Sequence, residues 1–336
     1  MNLSERLEAF CSLGDAITNL SMSDSKALAE KARNENPWFT EENVLMALMG
    51  IRVILNKRKL TTWAQTYRPE PTESKTVGVV MAGNIPMVGF HDFLCVLISG
   101  HSLKAKLSSQ DTILLKFIFQ KLIEIEPRFS DRASFEENLK GVNAMIATGS
   151  DNTARYFEYY FRNIPHIIRK NRASCALIVG EEPKEEFELL GRDVFSYFGL
   201  GCRNVSKLYV PEDFEFKPLI ESWKAFELVI NHHKYANNYD YQKSILLVNC
   251  EPFLDCEFIL LKESKSLISP IAMIYFEKYR SQQEVREKIE MHSDKLQVVV
   301  SAKGWFKDSV PFGQAQFPEV QDYADKVDIM NFLEGI

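Results

Sequence analysis

The sequence predicts an α/β protein with two lobes, each built around a parallel β-sheet. Short apolar runs that suit strands buried on both faces alternate with amphipathic helical segments along most of the chain. Such alternation is typical of parallel sheets with helical crossovers. A chain of 336 residues with 46% hydrophobic content can form two such lobes, each with its own core. Because ligands of parallel sheets bind at the carboxyl ends of the strands, ligands of the first lobe are expected there.

Composition and charge argue against several classes of function. The formal net charge of −6 gives no electrostatic footprint for nucleic acid, which requires clustered lysine and arginine. The N-terminus is polar and no apolar run approaches the roughly 20 residues that span a bilayer, so we expect a cytoplasmic protein without a membrane span. The six cysteines show no CxxC-type spacing, which predicts reduced thiols and no disulfide framework or zinc site.

The first lobe is predicted to begin with helices and to continue with alternating strands and helices. Apolar residues at helical spacing cover most of the first sixty residues, and Thr40 can cap one of these helices. A proline-containing link at 67–71 follows. Strands are then predicted at 77–82, 102–107 and 142–148, and helices at 90–99, 112–125 and 152–161.

The second lobe is predicted to repeat this alternation. Strands are expected at 174–179, 208–210, 244–248, 256–261, 271–276 and 296–300, and helices at 185–197, 214–228 and 282–291. No GxGxxG fingerprint follows a strand, so the standard dinucleotide motif is absent. We predict one domain at 1–170 with a helical N-terminus, a second at 171–320, and a C-terminal tail at 321–336.

A cysteine on a glycine-containing loop is the candidate nucleophile. Cys202 follows Gly199 and Gly201 and precedes an apolar strand. Glycines allow tight turns and the close approach of a ligand to the backbone. A cysteine in an apolar segment is more often a small buried side chain, so the interpretation depends on the rest of the chain.

Three further polar stretches follow predicted strands. Asn84 comes after the first strand, where its amide could donate a hydrogen bond to an oxyanion or could cap a turn. Lys106 ends the second strand and could reach a ribose or a phosphate, with an ordinary surface lysine as the alternative. Thr148-Gly149-Ser150 ends the third strand before a helix, where free N–H groups can hold a pyrophosphate. Ser150 could instead cap that helix.

In their order and spacing these stretches resemble motifs of the aldehyde dehydrogenase superfamily, with Cys202 at the place of the nucleophile. Asn84-Ile85-Pro86 is similar to N-F-P, Lys106-Leu107-Ser108-Ser109 to K-P-S-E, Thr148-Gly149-Ser150 to T-G-S, Ser269-Pro270 to the G-P of E-x-F-G-P, and Pro311-Phe312-Gly313 to the late P-F-G. The resemblance implies an aldehyde dehydrogenase-like fold, in which two Rossmann-like parallel α/β lobes hold the active site between them.

The resemblance also implies a role for each lobe. Residues 1–170 would bind the cofactor, and 171–320 would form the catalytic domain that carries the nucleophile Cys202. Asn84 would be the second catalytic residue. The cofactor would contact Lys106, Ser109, Thr148, Gly149, Ser150, Pro270 and Phe312. No histidine has a partner at metal-ligand spacing, so no metal is expected.

The chain departs from the superfamily where aldehyde-oxidising members carry a general-base glutamate. No residue from 161 to 180 is acidic, and the stretch contains Arg169 and Arg172. A base that activates water to hydrolyse the acyl-enzyme is therefore missing. The pattern is most similar to the acyl-CoA reductases, relatives of the fatty-acid reductase of bacterial bioluminescence. This resemblance implies reduction of an acyl-CoA thioester to an aldehyde, with release of coenzyme A.

Two other departures concern the cofactor. Ser109 stands where the K-P-S-E acid binds the adenosine ribose, and loss of that carboxylate removes repulsion against a 2′-phosphate. NADPH is therefore expected, with NADH as the second choice, although Asp111 lies nearby in the sequence. Ser266 stands at the place of the E-x-F-G-P glutamate, which holds the nicotinamide ribose in the superfamily.

Several alternatives stay open at this point. His232 and His233 could line the acyl channel or donate a proton, or they could belong to a loop at a helix end. Arg203 could help to ionise the thiol or could form a surface ion pair. The alternative functions are an acyl-phosphate reductase of the glutamyl-phosphate type and a non-catalytic relative that serves in an assembly. A homodimer is expected, and the sequence does not define the acyl chain length.

Overall fold

The chain folds into two compact units. The structure is a computed structural model that describes residues 1–149 and 151–336. One unit contains residues 1–171 together with 318–336, and the other contains residues 172–317. The C-terminal segment therefore belongs to the same unit as the N-terminal helices.

The first part of this unit is helical, as the apolar spacing predicts. Its helices are α1 (Leu3–Thr18), α2 (Met22–Glu35), α3 (Glu41–Ile54) and α4 (Lys57–Ala64). Asn2 and Glu5 form a capping box at the start of α1, because each side chain accepts the backbone N–H of the other residue. Thr40 caps α3, as predicted, by accepting the N–H of Asn43.

A parallel sheet follows these helices. Its strands and the intervening helices are β1 (Thr76–Val80), α5 (Phe90–Ile98), β2 (Ser102–Lys106), α6 (Ile113–Ile125), β3 (Ala133–Phe135), β4 (Ala144–Thr148), α7 (Asp151–Phe161) and β5 (His166–Arg169). The strand order is β3-β2-β1-β4-β5 with parallel pairing throughout the described residues, which is a Rossmann-like order. Strands β3 and β5 are not predictable from the sequence pattern, because both are short and only partly buried.

The second unit contains a longer sheet. Its elements are β6 (Ala173–Leu177), α8 (Lys184–Phe195), β7 (Val205–Pro211), α9 (Phe216–Trp223), α10 (His233–Val248), β8 (Leu254–Asp255), β9 (Leu260–Glu263), β10 (Met273–Tyr279), α11 (Gln282–Met291), β11 (Leu296–Ser301) and β12 (Val310–Pro311). The order is β12-β11-β6-β7-β10-β9-β8, with parallel pairs except for the β8–β9 hairpin. This hairpin turn occupies most of the predicted strand 256–261. The last helix, α12 (Ile329–Glu334), lies in the C-terminal segment of the first unit.

The predicted strand at 244–248 is wrong, because this segment is the end of α10. Its apolar run fits a buried strand when it is considered alone. Within the full helix, however, the buried side chains of Tyr235, Tyr239 and Leu246 recur at helical spacing, while Leu247 and Val248 are exposed. The periodicity of the 16-residue element therefore overrides the local composition.

Aromatic packing fixes the position of α8 against α9. The ring of Phe195 lies edge-on to Trp223 at 5.5 Å and stacks on Phe226 at 5.2 Å. The indole Nε1 of Trp223 donates to the Phe187 carbonyl at 3.0 Å. This contact holds α8 against α9, and the C-terminal end of α8 leads into the loop that carries Cys202.

Candidate functional site

Cys202 lies on a short loop between α8 and β7, at the amino end of β7. Its side chain is exposed, as is that of Cys250, whereas the other four cysteines of the chain are buried. Cys202 is therefore not a small side chain of the core. Its thiol is accessible to a substrate.

The residues that lead to this loop adopt an unusual backbone conformation. Tyr197, Phe198 and Gly199 all have positive φ, at 50°, 56° and 77°. The left-handed region is unfavourable for residues with a Cβ, and such strain persists only where the surrounding structure imposes it. The Phe198 ring contacts the first residues of α10, with centroids 4.5 Å from His232 and 6.0 Å from Tyr235. These aromatic contacts help to hold the strained segment.

The side chain of Asn204 holds the cysteine loop against the end of α8. Its Nδ2 donates to the carbonyls of Asp193 (3.1 Å), Val194 (3.4 Å) and Ser196 (2.7 Å). Its Oδ1 accepts the N–H of Gly201 at 2.8 Å, and its own N–H donates to the Gly201 carbonyl at 3.0 Å. The last carbonyls of a helix lack partners within the helix. One buried amide thus caps α8 and closes the turn around the cysteine.

Two further buried side chains bind the backbone of this region. The hydroxyl of Ser174 on β6 donates to the Cys202 carbonyl at 2.9 Å. The carboxyl of Asp193 on α8 accepts the N–H groups of Gly313 (2.7 Å) and Ala315 (3.0 Å). Burial raises the pKa of Asp193 to about 7, against the opposing effect of these two hydrogen bonds.

Arg203 and the histidine pair also lie next to the loop. The Arg203 Nε donates to the Ala315 carbonyl at 3.1 Å, so the segment that Asp193 binds also contacts the residue after the cysteine. The ring of His232 lies 5.1 Å from that of His233 in a stacked arrangement. Because His232 also contacts Phe198, the pair packs at the start of α10 against the segment leading to the cysteine.

The other predicted residues of the second unit differ in burial. Pro270 is partly buried and precedes β10, the neighbour of β7. The hydroxyl of Ser206 donates to the Leu267 carbonyl at 2.8 Å, so the segment before Pro270 lies beside the start of β7. Ser266 is exposed in this segment. Phe312 is buried in the hydrophobic core, so the backbone that follows it, and not its ring, approaches the cysteine loop.

In the first unit, the predicted residues meet at one edge of the parallel sheet. β1 lies between β2 and β4, and the chain segments that leave the carboxyl ends of these three strands carry the motifs. In sheets of this type, ligands bind at this edge where the strand order reverses. The edge brings together Asn84, Lys106, Ser109, Thr148 and Gly149. Ser150 lies outside the described residues.

The turn after β2 presents a lysine and a serine. The Nζ of Lys106 donates to the Glu137 carbonyl at 2.9 Å and lies 4.0 Å from the Glu137 carboxylate. Ser109 is exposed. Asp111, the acid near it in the sequence, is buried and accepts the N–H of Met87 at 2.6 Å. The carboxylate of Asp111 is therefore not presented at the surface beside Ser109.

A buried ion pair lies at the end of β4. Arg169, the last residue of β5, donates to both carboxylate oxygens of Asp92 on α5, at 2.6 and 2.7 Å. Its Nη1 is 3.4 Å from the hydroxyl of Thr148, and its carbonyl accepts the N–H of Gly149 at 3.3 Å. The pair therefore braces the end of β4 and the backbone of Gly149.

Sequence reasoning missed four residues that support the candidate site. Asp193 could have been noticed as an acid on the apolar face of α8. Asn204 gave no such signal, because the carbonyls that it caps lie 8 to 11 positions earlier in the chain. Ser174 and Asp92 gave no local signal, because their partners lie 28 and 77 positions away in the chain.

The side chains of the first unit suit dinucleotide binding, and those of the second unit suit nucleophilic attack by a thiol. The edge of the first sheet combines an ammonium group, hydroxyls and the start of a helix, a donor set that suits the ribose and pyrophosphate of a dinucleotide. The second unit supplies an exposed thiol on a braced loop. Among the residues that the structure describes, no group of three or more His, Cys, Asp and Glu side chains could hold a metal ion. In the same part of the chain, no helix has the length and apolar character needed to cross a membrane.

Comparisons with known proteins establish the fold. No protein-family model matches the sequence, and no curated protein matches it either. Similar solved structures include the NAD+ complex of an aldehyde dehydrogenase from Bacillus cereus, with a TM-score of 0.63 at 12% identity over 90% of this chain and 72% of that one. An NADP-dependent enzyme from E. coli has a TM-score of 0.64 at 12% identity, covering 90% and 73%. An NAD-dependent aldehyde dehydrogenase from Sinorhizobium meliloti has a TM-score of 0.62 at 11% identity, covering 90% and 70%. The chain therefore has an aldehyde dehydrogenase-like α/β fold, as the motifs imply.

Proposed function

We propose that the protein is an acyl-CoA reductase that converts an acyl-CoA thioester to an aldehyde through an acyl-enzyme on Cys202, with NADPH as reductant. The observation that carries the proposal is an exposed thiol on a braced loop, in a fold of this type whose sequence lacks the general-base acid. Both features are needed. The thiol forms the thioester, and without a general base no side chain activates water to hydrolyse that thioester.

The first step is acyl transfer to the cysteine. An ordinary thiol with a pKa of about 8.5 is only a few per cent ionised at neutral pH, so Cys202 needs stabilisation from neighbouring donors. Loop N–H groups and Arg203 are the proposed donors. The thiolate attacks the acyl carbonyl, and the Asn84 amide and the Cys202 N–H stabilise the oxyanion. One such donor is worth about 3 kcal/mol in other enzymes. Coenzyme A leaves as its thiolate, and the acyl group remains on Cys202.

The residues at the edge of the first sheet would hold the cofactor. Lys106 and Ser109 would bind the adenosine ribose, and Thr148-Gly149-Ser150 the pyrophosphate, with Pro270 and the backbone beside the buried Phe312 as the further proposed contacts. When bound, the cofactor supplies the hydride that reduces the acyl group. The Cys202 thiolate is then the leaving group as the aldehyde departs. The exposed Ser109 and the buried Asp111 favour NADPH, because no carboxylate of this turn would repel a 2′-phosphate.

The stretch at 161–180, where aldehyde-oxidising members of the superfamily carry a general base, has no acidic residue here and contains Arg169. Arg169 is buried and its guanidinium is paired with Asp92. A guanidinium keeps its proton in proteins and cannot activate water as a base. The acyl-enzyme would therefore persist until hydride reaches it.

The proposal is tested by following NADPH and NADH absorbance with a series of acyl-CoA esters from acetyl to palmitoyl. Wild type should oxidise NADPH in the presence of an ester, and Cys202→Ala should abolish this turnover. Cys250→Ala, which changes the other exposed cysteine, should retain it. Cofactor binding without turnover of any ester would contradict the proposal. An acyl phosphate would then be tried as substrate, and failure there would leave the non-catalytic alternative.

A further inference from the structure

The loop that carries Asn84 is strained at its far end. Met87 has a φ of 58°, in the left-handed region that a residue with a Cβ rarely adopts, and its side chain is buried. Asn84 itself is exposed, three residues earlier. A backbone conformation of this kind persists only where its surroundings impose it, and such positions are concentrated at functional sites.

The buried side chain of Asp111 binds the backbone of this strained residue. Its side chain is 1% exposed, and its Oδ2 accepts the Met87 N–H at 2.6 Å. The other oxygen, Oδ1, is buried and has no hydrogen-bond partner among the described residues. Burying a carboxyl with one unsatisfied oxygen is unfavourable. The hydrogen bond of its Oδ2 goes to the strained Met87, three residues after Asn84.

A second buried side chain holds the loop on the near side of Asn84. The Nδ2 of Asn36 donates to the Gly83 carbonyl at 3.1 Å. The loop is also close to the turn after β2, because a Cβ at Gly83 would lie 2.6 Å from the Ser108 hydroxyl and 3.3 Å from the Asp111 Cβ. The exposed amide of Asn84 thus lies between two anchors, Asn36 before it and Asp111 after it.

We propose that Asp111 is a positioning residue for Asn84, which it holds in place through the Met87 peptide. The inference rests on the proposed function, in which Asn84 helps to stabilise the oxyanion. Asp111 also belongs to the turn that carries Ser109. It therefore joins the loop of the proposed oxyanion donor to the turn of the proposed ribose contact.

The charge state of Asp111 gives this role a measurable signature. Burial raises its pKa to about 7, the Met87 N–H opposes this shift, and Glu35 on α2 adds to it. Glu35 itself accepts the N–H groups of Thr112 (2.9 Å) and Ile113 (3.0 Å) and interacts with Lys116 on α6. The pKa of Asp111 is higher when the loop at 83–90 is folded against it than when the loop is open. The neutral carboxyl therefore stabilises the folded loop, and this stabilisation is lost as the pH rises from about 4 to about 7.

The first test measures hydrogen exchange of the amides at 83–90 and does not depend on activity. Asp111→Ala should lower their protection factors about tenfold or more at about pH 4, where the wild-type carboxyl of the folded loop is neutral, whereas Asp111→Asn keeps an acceptor for Met87 and should stay within about threefold of wild type at that pH. Wild-type protection should fall by up to about tenfold per pH unit between pH 5 and 7 and then level off, and Asp111→Asn should remove this slope. Asp193→Asn, an equally buried carboxyl in the other unit, should leave these amides unchanged.

The second test is a double-mutant cycle on kcat. Asp111→Ala should lower kcat in the wild-type background but should cause no further loss beyond about twofold in the Asn84→Ala background, because both changes remove the same donor. Thermal melting of each variant confirms folding. Asp111→Leu, which fills the space but offers no acceptor, serves in place of Asp111→Ala if the latter does not fold, and Asp111→Asn should retain the wild-type kcat.

The outcomes separate this inference from the proposed function. Equal losses of kcat in both backgrounds would show that Asp111 acts independently of Asn84 and would overturn the inference. Unchanged protection at 83–90 in folded Asp111→Ala would overturn it too. If wild type turns over no acyl-CoA, the proposed function fails, and hydrogen exchange still decides whether Asp111 holds the loop.

Discussion

Asp193 makes the segment beside the cysteine loop sensitive to pH. Its buried carboxyl accepts two backbone N–H groups from the segment at 313–315, and its pKa is raised to about 7 by burial. Because the pKa is higher in the folded state than in the unfolded chain, the neutral form favours folding. This stabilisation is fully present below about pH 4 and is lost as the pH rises through about 7.

Removing the charge at position 193 should therefore flatten the pH dependence of stability. Between pH 4.5 and 7, wild type should lose up to about 3 kcal/mol more of its free energy of unfolding than Asp193→Asn, since each pH unit contributes at most about 1.4 kcal/mol. Urea unfolding across this range measures the difference. Asp213→Asn, which changes an exposed carboxyl of the same unit, should keep the wild-type profile. Parallel profiles for wild type and Asp193→Asn would contradict the account.

At the scale of residues, the sequence predicts where site residues lie along the chain better than it predicts the hydrogen bonds that support them. Asn84, Lys106 and Thr148 could be proposed because each lies at or just after the end of a strand, and strand ends are visible as apolar runs. The supporting contacts of Asn204 and Ser174 could not be proposed, because they depend on how the loop folds back onto α8 and β6. The burial of Asp111 was likewise invisible, since an acid two residues after Ser109 appears solvent-exposed in the sequence.

At the scale of elements, the segment between α8 and the cysteine loop has a strained, left-handed backbone conformation. Three consecutive residues with positive φ redirect the chain from the end of the helix toward β7. Only the third of them, Gly199, avoids the penalty of a Cβ. The contact of Phe198 with His232 at 4.5 Å helps to hold the other two.

A matched pair of glycine substitutions tests this strain. Gly199→Ala should lower the free energy of unfolding by about 1–2 kcal/mol, because its φ of 77° is unfavourable for alanine. Gly50→Ala should raise it by up to about 1 kcal/mol, because Gly50 lies within α3 with open space around a new Cβ. Both are measured by urea unfolding. A Gly199→Ala protein as stable as wild type would show that the segment is not constrained as described.

Most elements were predicted close to their observed bounds, and the failures have identifiable causes. The helix α11 has the predicted limits, since its amphipathic pattern and its cap at Ser281 are local. The end of α10 resembles a strand because an apolar run of four residues, at 245–248, carries no length information by itself. The short strands β3, β5, β8 and β12 pair at positions that only the sheet defines.

At the scale of the whole molecule, the C-terminal segment belongs to the first unit through polar contacts. His91 pairs with the Val320 carbonyl at 2.8 Å, and His101 with the Leu333 carbonyl at 3.0 Å. The Trp63 indole donates to the Tyr323 hydroxyl at 2.9 Å. These partners lie more than 220 positions apart in the chain. The fold class followed from alternation and motifs, but no local pattern indicates where this segment packs.

The central claim concerns Cys202 as the acceptor of an acyl group, and the mass of the protein after incubation with acyl-CoA, without reduced cofactor, tests it most directly. Wild type and Cys250→Ala should each gain the mass of one acyl group, hydroxylamine should remove it, and peptide mapping should place it on Cys202. Added NADPH should discharge the group as aldehyde. An acyl group that forms equally on Cys202→Ala, or no acyl group with any ester in the series, would contradict the account.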